Sequence, residues 1–497
     1  MSTAVEEISE ATLEEIIKAQ TAGIYESTGV WSYDLSGLVS QVPVVTPFRD
    51  IVARETPKDG NPFAVWRSIM NVNSAQPDPS MGIDMAANEV QISEQDFQAK
   101  YMPTGYAGLV TQDAYDFGKG YADPYAVSTF QTLNQCLIGD DRKQLGAQSF
   151  PLAAAATPTL TQHATGGTIG AVQVYVGVAA RTGSGYFYGS GNSQGSSNNT
   201  TFGSGSTNSI TATVTAIRGA FCYDWFVSSN GTTWFYYTST SVNAVTVTSV
   251  ITQNQAVPTS TLPDISTNWK GVLGAVPTYL STGDNGSGNG KDYDGFVATL
   301  TGDYTPNGQW AQSGTATPNP SVWKSLDGAA LTLSGGSIAE IETYLFLALW
   351  NQVKCSPTAL MMHANQAQEI ANLVLGTNSA TTFLNTDSSG RINVTAGGRV
   401  GKIINTPAGG KEVPIEVHVS LPPGTIMART DRVPFPQAQI TNVIAQRCLR
   451  DTVQFEYAVA RIPGVVGGGP RKEYEIRSNS AFVNRAPVAM GMIQNIA

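Results

Sequence analysis

Charge is what this chain has least of. Only 13% of its 497 residues are Asp, Glu, Lys or Arg, about half the ~25% of an ordinary soluble protein. The basic sign is the scarcer one, with 28 Lys and Arg against 38 Asp and Glu and a net charge of −10. No basic run occurs, so sequence-independent nucleic-acid binding, which rests on neutralising phosphates, is not expected as the main activity. The four cysteines (Cys136, Cys222, Cys355, Cys448) are far apart and form no C-x-x-C pair. That argues against a disulfide scaffold or a cysteine zinc site. A reducing interior is the expected home, where the Asn-x-Ser/Thr matches at Asn198, Asn199, Asn230, Asn285 and Asn393 do not read as glycosylation. No apolar run approaches the ~20 residues of a membrane helix; the best, Ile341 to Trp350, is about three turns. The first residues have neither a basic region nor an apolar core, so no secretory signal is expected.

What is present is enough for a folded protein. Hydrophobic residues make up 41% and aromatics 9%, too many for a wholly disordered chain. The length allows roughly three domains. Charge poverty is local: residues 151–330 hold 12 charged residues in 180 and no glutamate, while the other 317 hold 54. A shift of that size marks a domain boundary.

Glu6 to Gln20 reads as a short amphipathic helix, with Ile8, Leu13, Ile16 and Ile17 against a glutamate-rich face. Asp123-Pro124 offers a cap and a first-turn proline. Ala126, Phe130, Leu133, Cys136 and Leu137 then recur at threes and fours, predicting a long helix from Asp123 towards Phe150. Residues 44–101 read as an extended excursion broken by Pro57, Pro62, Pro77 and Pro79, with Asn88 to Lys100 open between strand and helix. Strand-like runs begin at Ala171, Ile210, Tyr223 and Ala244, and Tyr223 to Tyr237 reads as two strands about a Ser-Asn-Gly turn. Gly183 to Ser206 reads as a long Gly/Ser/Asn-rich hairpin tip. Together these predict a small all-β sandwich over about 160–258. Ser337 with Glu340 predicts a capping box for a helix reaching Trp350. Thr358 to His363 predicts a strand, and Asn365 the cap of a helix from Gln366 to Leu375. A strand broken at Pro422-Pro-Gly424 and closing strands at Arg471 to Arg477 and Val488 to Ile496 complete the pattern.

Catalytic signals are thin. His163, His363 and His418 form no ligand spacing. Cys355 with His363 is a nucleophile–base possibility set against a core cysteine. Gly397 to Lys402 resembles a phosphate loop but lacks its Gly-Lys-Ser/Thr end. The pairs Asp292/Asp294 and Glu473/Glu475 are the glycosidase candidates, set against solvated charges. The aromatics Tyr223, Trp225, Phe226, Trp234, Phe235, Tyr236 and Tyr237 are candidates for stacking on sugars, set against sandwich core. No catalytic, cofactor or metal residue is assigned, and no enzyme activity is expected.

Four stretches carry a resemblance. They are Tyr101-Met-Pro-Thr-Gly-Tyr-Ala-Gly-Leu-Val-Thr leading to Ala122-Asp-Pro, Ile217-Arg-Gly-Ala-Phe-Cys-Tyr-Asp-Trp-Phe-Val, Val417-His-Val-Ser-Leu-Pro-Pro-Gly-Thr-Ile-Met, and Tyr474-Glu-Ile-Arg-Ser-Asn-Ser-Ala-Phe-Val-Asn. In this order the chain resembles a major capsid protein of tailed bacteriophages. The resemblance implies an α+β, HK97-like capsid fold with an inserted immunoglobulin-like (Ig-like) β-sandwich. It implies an N-terminal helix and arm at 1–43 and an extended loop (E-loop) at 44–101. A peripheral (P) domain with the spine helix takes 102–157 and 411–455. The Ig-like insert with linkers takes 158–330, and an axial (A) domain with closing strands takes 331–410 and 456–497. The implied function is self-assembly into the icosahedral shell around double-stranded DNA, in the virion after assembly in the host cytoplasm. The implied partners are further copies in hexamers and pentamers, with scaffolding, portal or decoration proteins. Packaged DNA is met only by weak, non-specific contact, and there is no membrane. The alternatives are a secreted glycan-binding or glycan-cleaving β protein and a tail component.

Overall fold

The computed structural model describes residues 45–57, 61–72, 80–86, 92–118, 123–188, 195–251, 292–314, 316–334, 336–377, 384–386, 392–394, 400–433, 440, 442–458 and 471–497. The expected N-terminal helix and arm and the first half of the Gly397 to Lys402 loop lie outside them. The chain is α+β and divides into two compact units: residues 1–46, 103–141 and 448–480, and residues 47–102, 142–447 and 481–497.

The first unit is built on the long helix Pro124–Gly146. Asp123 caps it as expected, its Oδ1 accepting from the amides of Tyr125 (2.9 Å) and Ala126 (3.3 Å). The helix runs through Gly139 and stops at Gly146, about one turn short of Phe150. Its packing face differs from the expected stripe. Phe130 is 52% exposed, whereas Tyr125, Leu133 and Cys136 close on Tyr474 and Ile476 of the strand Arg471–Asn484. The Tyr474 hydroxyl lies 2.6 Å from Ser128 Oγ and 2.9 Å from Thr132 Oγ1, so a polar pair fixes the helix on the strand. The strand Met102–Thr111 enters the same sheet beside Arg471–Asn484. Gly108 makes that approach possible: a Cβ there would sit 2.2 Å from the Tyr474 ring.

The second unit is organised by a six-stranded mixed sheet. Its order is Val322–Ser325, Gly491–Gln494, Ile426–Arg429, Ala359–Met362, Lys411–Val417, Lys402–Asn405. Period-two alternation sends side chains to opposite faces. Leu360, Met362, Ile426, Ala428 and Ile493 enter one core, with Ile341, Leu345 and Leu349 of the helical stretch 339–353 and Ile370 of Ala364–Thr377. Met361, Met427 and Met492 enter the other, with Phe48, Phe296, Leu300 and Phe482. Burial on both faces explains why these strands read as unbroken apolar runs.

This sheet corrects two expected boundaries. Residues 411–429, expected beside the spine helix, pair instead with Ala359–Met362: Leu360 opposite Ile415 in parallel and opposite Ala428 antiparallel. Residues 448–455 and 471–480, from different expected domains, share the first unit. The return path of the expected insert is also different. Val322–Ser325 is an edge strand of the six-stranded sheet, parallel to Gly491–Gln494, and Phe296–Thr301 is a buried helix of its core. These pairings join segments far apart in sequence, which local pattern does not encode.

The excursion 44–101 is a hairpin. Phe63–Val72 pairs antiparallel with Ile92–Lys100, which settles Asn88 to Lys100 as strand. Its base rests on a ring stack, with Phe97 5.9 Å from Trp66 and 4.5 Å from Trp310.

The sandwich is present. Thr159–His163, Ser209–Thr213 and Ala244–Val247 form one antiparallel sheet. Gln173–Arg181, Ser196–Thr201, Cys222–Ser228 and Phe235–Thr240 form the other. Val174, Val176, Ile210, Ala212, Tyr223, Trp225 and Val247 fill the space between them. Counted in chain order, the strands run 7-4-1 and 6-5-2-3. An immunoglobulin domain places its first, second, fifth and fourth strands in one sheet, so the two-layer architecture holds and the Ig-like order does not. Gly183 to Ser206 is likewise more structured than a hairpin tip, with a helix Gly183–Tyr188 and the strand Ser196–Thr201. Phe221 sits in the main core with Leu145 and Phe296. Gln494 binds the amide of Gly219 (3.1 Å) and the carbonyl of Ala220 (2.9 Å).

Two expected caps are replaced. Glu340 accepts from the Thr332 amide (2.8 Å) and Oγ1 (2.6 Å), and Ser337 bonds Glu342, so no capping box forms and the helical stretch has no side-chain cap. Its middle, Glu342–Leu347, is π-helical. The following helix starts at Ala364, and His363 caps it in place of Asn365, with Nδ1 accepting from the Asn365 amide at 3.1 Å.

Candidate functional site

The residues raised as catalytic candidates are dispersed. Asp294, part-buried, accepts from the Ser149 amide (2.7 Å) and Oγ (2.9 Å). Asp292 turns to Lys143 (3.3 Å) and Ser184 Oγ (2.6 Å). The two carboxylates therefore have separate partners and do not flank a cleft. Glu473 pairs with Arg471 (2.6 Å); Glu475 takes Arg477 (3.2 Å) and the Tyr457 hydroxyl (2.8 Å). These are neutralised pairs along one strand.

His163 lies exposed on its strand, 3.0 Å from Thr211 Oγ1. His418 is buried, and burial pushes its imidazole down to about 4. Cys355 is buried beside the carbonyls of Ser356 and Arg432, and burial pushes its thiol up, away from a nucleophile. No contact joins it to His363 among the described residues. No group of three metal-ligating side chains occurs among them either. The aromatics are core: Tyr223 and Trp225 point between the sheets, while Phe226, Trp234 and Tyr236 pack on the outer face with Ala179.

Asp294 gives a pH signature. Burial is the main cause that lifts its carboxyl to about 6; the Ser149 hydrogen bonds oppose this, and Asp292 adds to it. The folded state thus holds a proton that the unfolded chain has already released, and this stabilisation is lost as pH rises from about 4 to about 6. Asp294→Asn is therefore expected to stabilise the protein at pH 8, on the order of 1–3 kcal/mol. Near pH 4 it should confer nothing. Chemical denaturation at both pH values checks this; equal effects at the two would refute it.

Buried polar clusters hold strand ends rather than substrates. Glu55 accepts from Arg485 (2.6 Å) and Arg447 (3.5 Å). Those arginines hold its carboxyl below the usual range although desolvation, the largest single influence, opposes them. Arg429, 3% exposed, bridges Glu416 (2.9 Å) and Asp431 (2.7 Å). The Glu55 partners lie about 400 residues away in sequence and leave no local motif.

What the surface does offer is apolar projection. Phe63 and Val65 stand 41% and 50% exposed on the hairpin, and in the 80–86 segment Met81, Ile83 and Met85 are 64%, 96% and 69% exposed. Single exposed apolar residues are ordinary, whereas here three fall within five residues.

No protein-family profile matches the chain, and no curated protein matches it. Among solved structures it is similar to the cyanophage A-1(L) capsid asymmetric unit, at 8% identity over 94% of this chain and 97% of that one, TM-score 0.42. It is similar to the capsid of the native GTA particle at 7% identity over 92% of each chain, TM-score 0.38. It is also similar to the holo-SrpI encapsulin complex from Synechococcus elongatus at 6% identity over 97% and 95%, TM-score 0.36. Identities and TM-scores this low do not assign a family, and the functional reading rests on the chain's own residues.

Proposed function

We propose that this chain is a major capsid protein of the tailed-bacteriophage kind, with an HK97-like fold, that self-assembles into the icosahedral shell around double-stranded DNA. The observation that carries this reading is the order of elements: an extended hairpin, then the 23-residue helix pinned to a late strand, then a sandwich, then a mixed sheet closed by the C-terminal strand. That order matches the one the four sequence stretches imply. The first unit corresponds to the peripheral domain, the six-stranded sheet to the axial domain, and the sandwich to an insert projecting from the shell. The hairpin and the 80–86 segment would lie on a neighbouring copy, which accounts for their exposed apolar side chains. Hexamers and pentamers of this chain are the principal assembly, with scaffolding, portal or decoration proteins as further partners. The acidic balance suits a wall that must not grip DNA, since like charge repels phosphate. The site of action is the virion capsid, reached by assembly in the host cytoplasm.

Electron microscopy of the expressed chain tests this. Closed shells of uniform size are expected; a folded monomer at every concentration would overturn it. Ile83→Asp should keep the melting temperature and lose most shells, because burying an Ile at a contact supplies ~2 kcal/mol per copy.

A further inference from the structure

A cleft of about 620 Å³ opens in the second unit, between the sandwich and the edge strand Val322–Ser325. The volume is that of a small-molecule site. One wall carries the hydroxyls of Thr157, Thr159, Thr213 and Thr215. Thr159 and Thr213 are direct cross-strand partners, so their side chains stand together on one sheet face. The opposite wall is Trp323, Lys324, Ser325 and Asp327. Trp323 is fixed by its indole N–H, which donates to Gln494 Oε1 at 2.8 Å.

The floor is Asn243, 4% exposed. Its Nδ2 donates to the Val214 carbonyl (2.6 Å) and to Asp327 Oδ1 (3.0 Å), while its Oδ1 is buried with no donor among the described residues. A buried acceptor left unmatched is unfavourable and calls for an explanation. Asp327 is held at φ +50°, an uncommon conformation for a residue other than glycine. Its Oδ1 already accepts from Ser325 Oγ (2.8 Å) and Asn243; no donor reaches its Oδ2 among the described residues.

The chemistry selects the ligand class. The lining contains one cation, Lys324, and one carboxylate, Asp327, so a phosphate-rich ligand would be poorly neutralised. Hydroxyls and an amide share the lining about equally with apolar surface, which suits a ring with polar and apolar faces better than a lipid tail. Hydroxyl groups both donate and accept, the Asp327 carboxylate accepts, and an oriented indole adds an apolar surface. We propose that this cleft binds a short neutral oligosaccharide. The inference goes beyond shell assembly and does not depend on it.

The test applies the full-length protein to a broad panel of immobilised neutral glycans, with anionic glycans and inorganic phosphate alongside. Asp327→Asn and the double variant Thr159→Val/Thr213→Val are run in parallel, with melting curves for each. Expected is retention on at least one neutral glycan, weakened at least tenfold in both variants at unchanged melting temperature. Should Asp327→Asn disturb folding, the threonine pair decides, since both side chains are exposed. No neutral glycan retained, retention on anionic ligands alone, or retention untouched by the threonine pair would each overturn the proposal.

Discussion

Asp224→Ala is expected to cost the protein about 3–5 kcal/mol. Arg181 and Asp224 form an ion pair on the outer face of the four-stranded sheet, with side chains 0% and 1% exposed. Ser239 Oγ also donates to Asp224, and Arg181 Nη1 reaches the Gly185 carbonyl at 3.3 Å. Removing the carboxylate leaves a guanidinium that cannot lose its proton and cannot reach water. Its Nη2 has no partner among the described residues even in the intact protein. Replacing both residues by apolar ones, as in Arg181→Met with Asp224→Leu, should recover most of the loss, because neither charge is then desolvated. A double-mutant cycle by chemical denaturation reads this directly. Strictly additive losses would show that the pair does not act as a unit.

The second large effect is at Phe97. It is 1% exposed and lies between Trp66 and Trp310, with Tyr304 5.8 Å away. Truncation to Ala should cost about 3–5 kcal/mol. The damage should concentrate in the hairpin, where further hydrogen bonds remain, among them the Ile69 amide to the Arg485 carbonyl (2.8 Å) and Ser68 Oγ to the Asn484 carbonyl (2.6 Å). The Gln98 amide donates to the Gly308 carbonyl at 2.9 Å, and Trp66 Nε1 donates to the Asn484 carbonyl at 3.0 Å. Gly308 adopts φ +71°, and a Cβ there would fall 2.0 Å from the Asp96 carbonyl oxygen. Hydrogen exchange should accelerate across Phe63–Val72 well before the six-stranded sheet, and shell yield should fall. Wild-type protection of the hairpin in Phe97→Ala would refute the role given to the stack.

What the sequence made legible was local. The Asp123 cap, the hairpin about Ser-Asn-Gly and the strand at Ala359–Met362 follow from short-range rules, and the structure contains them. Failures came where a distant partner competed for the same atoms. Glu340 has the spacing of a capping box, yet Thr332 takes its carboxylate. Asn365 has a capping side chain, yet His363 stands two residues earlier with a ring nitrogen already placed. The resemblance put residues 411–429 beside the spine helix, yet Leu360 pairs with both of their strands. The cleft was invisible for the same reason, since its walls come from residues near 159, 213, 243 and 325. The aromatics of Tyr223 to Tyr237 were legible as strands, but only three dimensions show that both of their faces are buried.

Phe221 in the main core and Gln494 on the backbone of Gly219 and Ala220 bear on how exchangeable the sandwich is. An insertion in sequence invites treatment as a cassette, to be cut out or traded for another module. Here excision would strip a ring from the shared interior and strand a buried amide on the C-terminal strand. The sandwich and the mixed sheet should therefore melt in one cooperative event, and a graft at this position would have to supply its own plug.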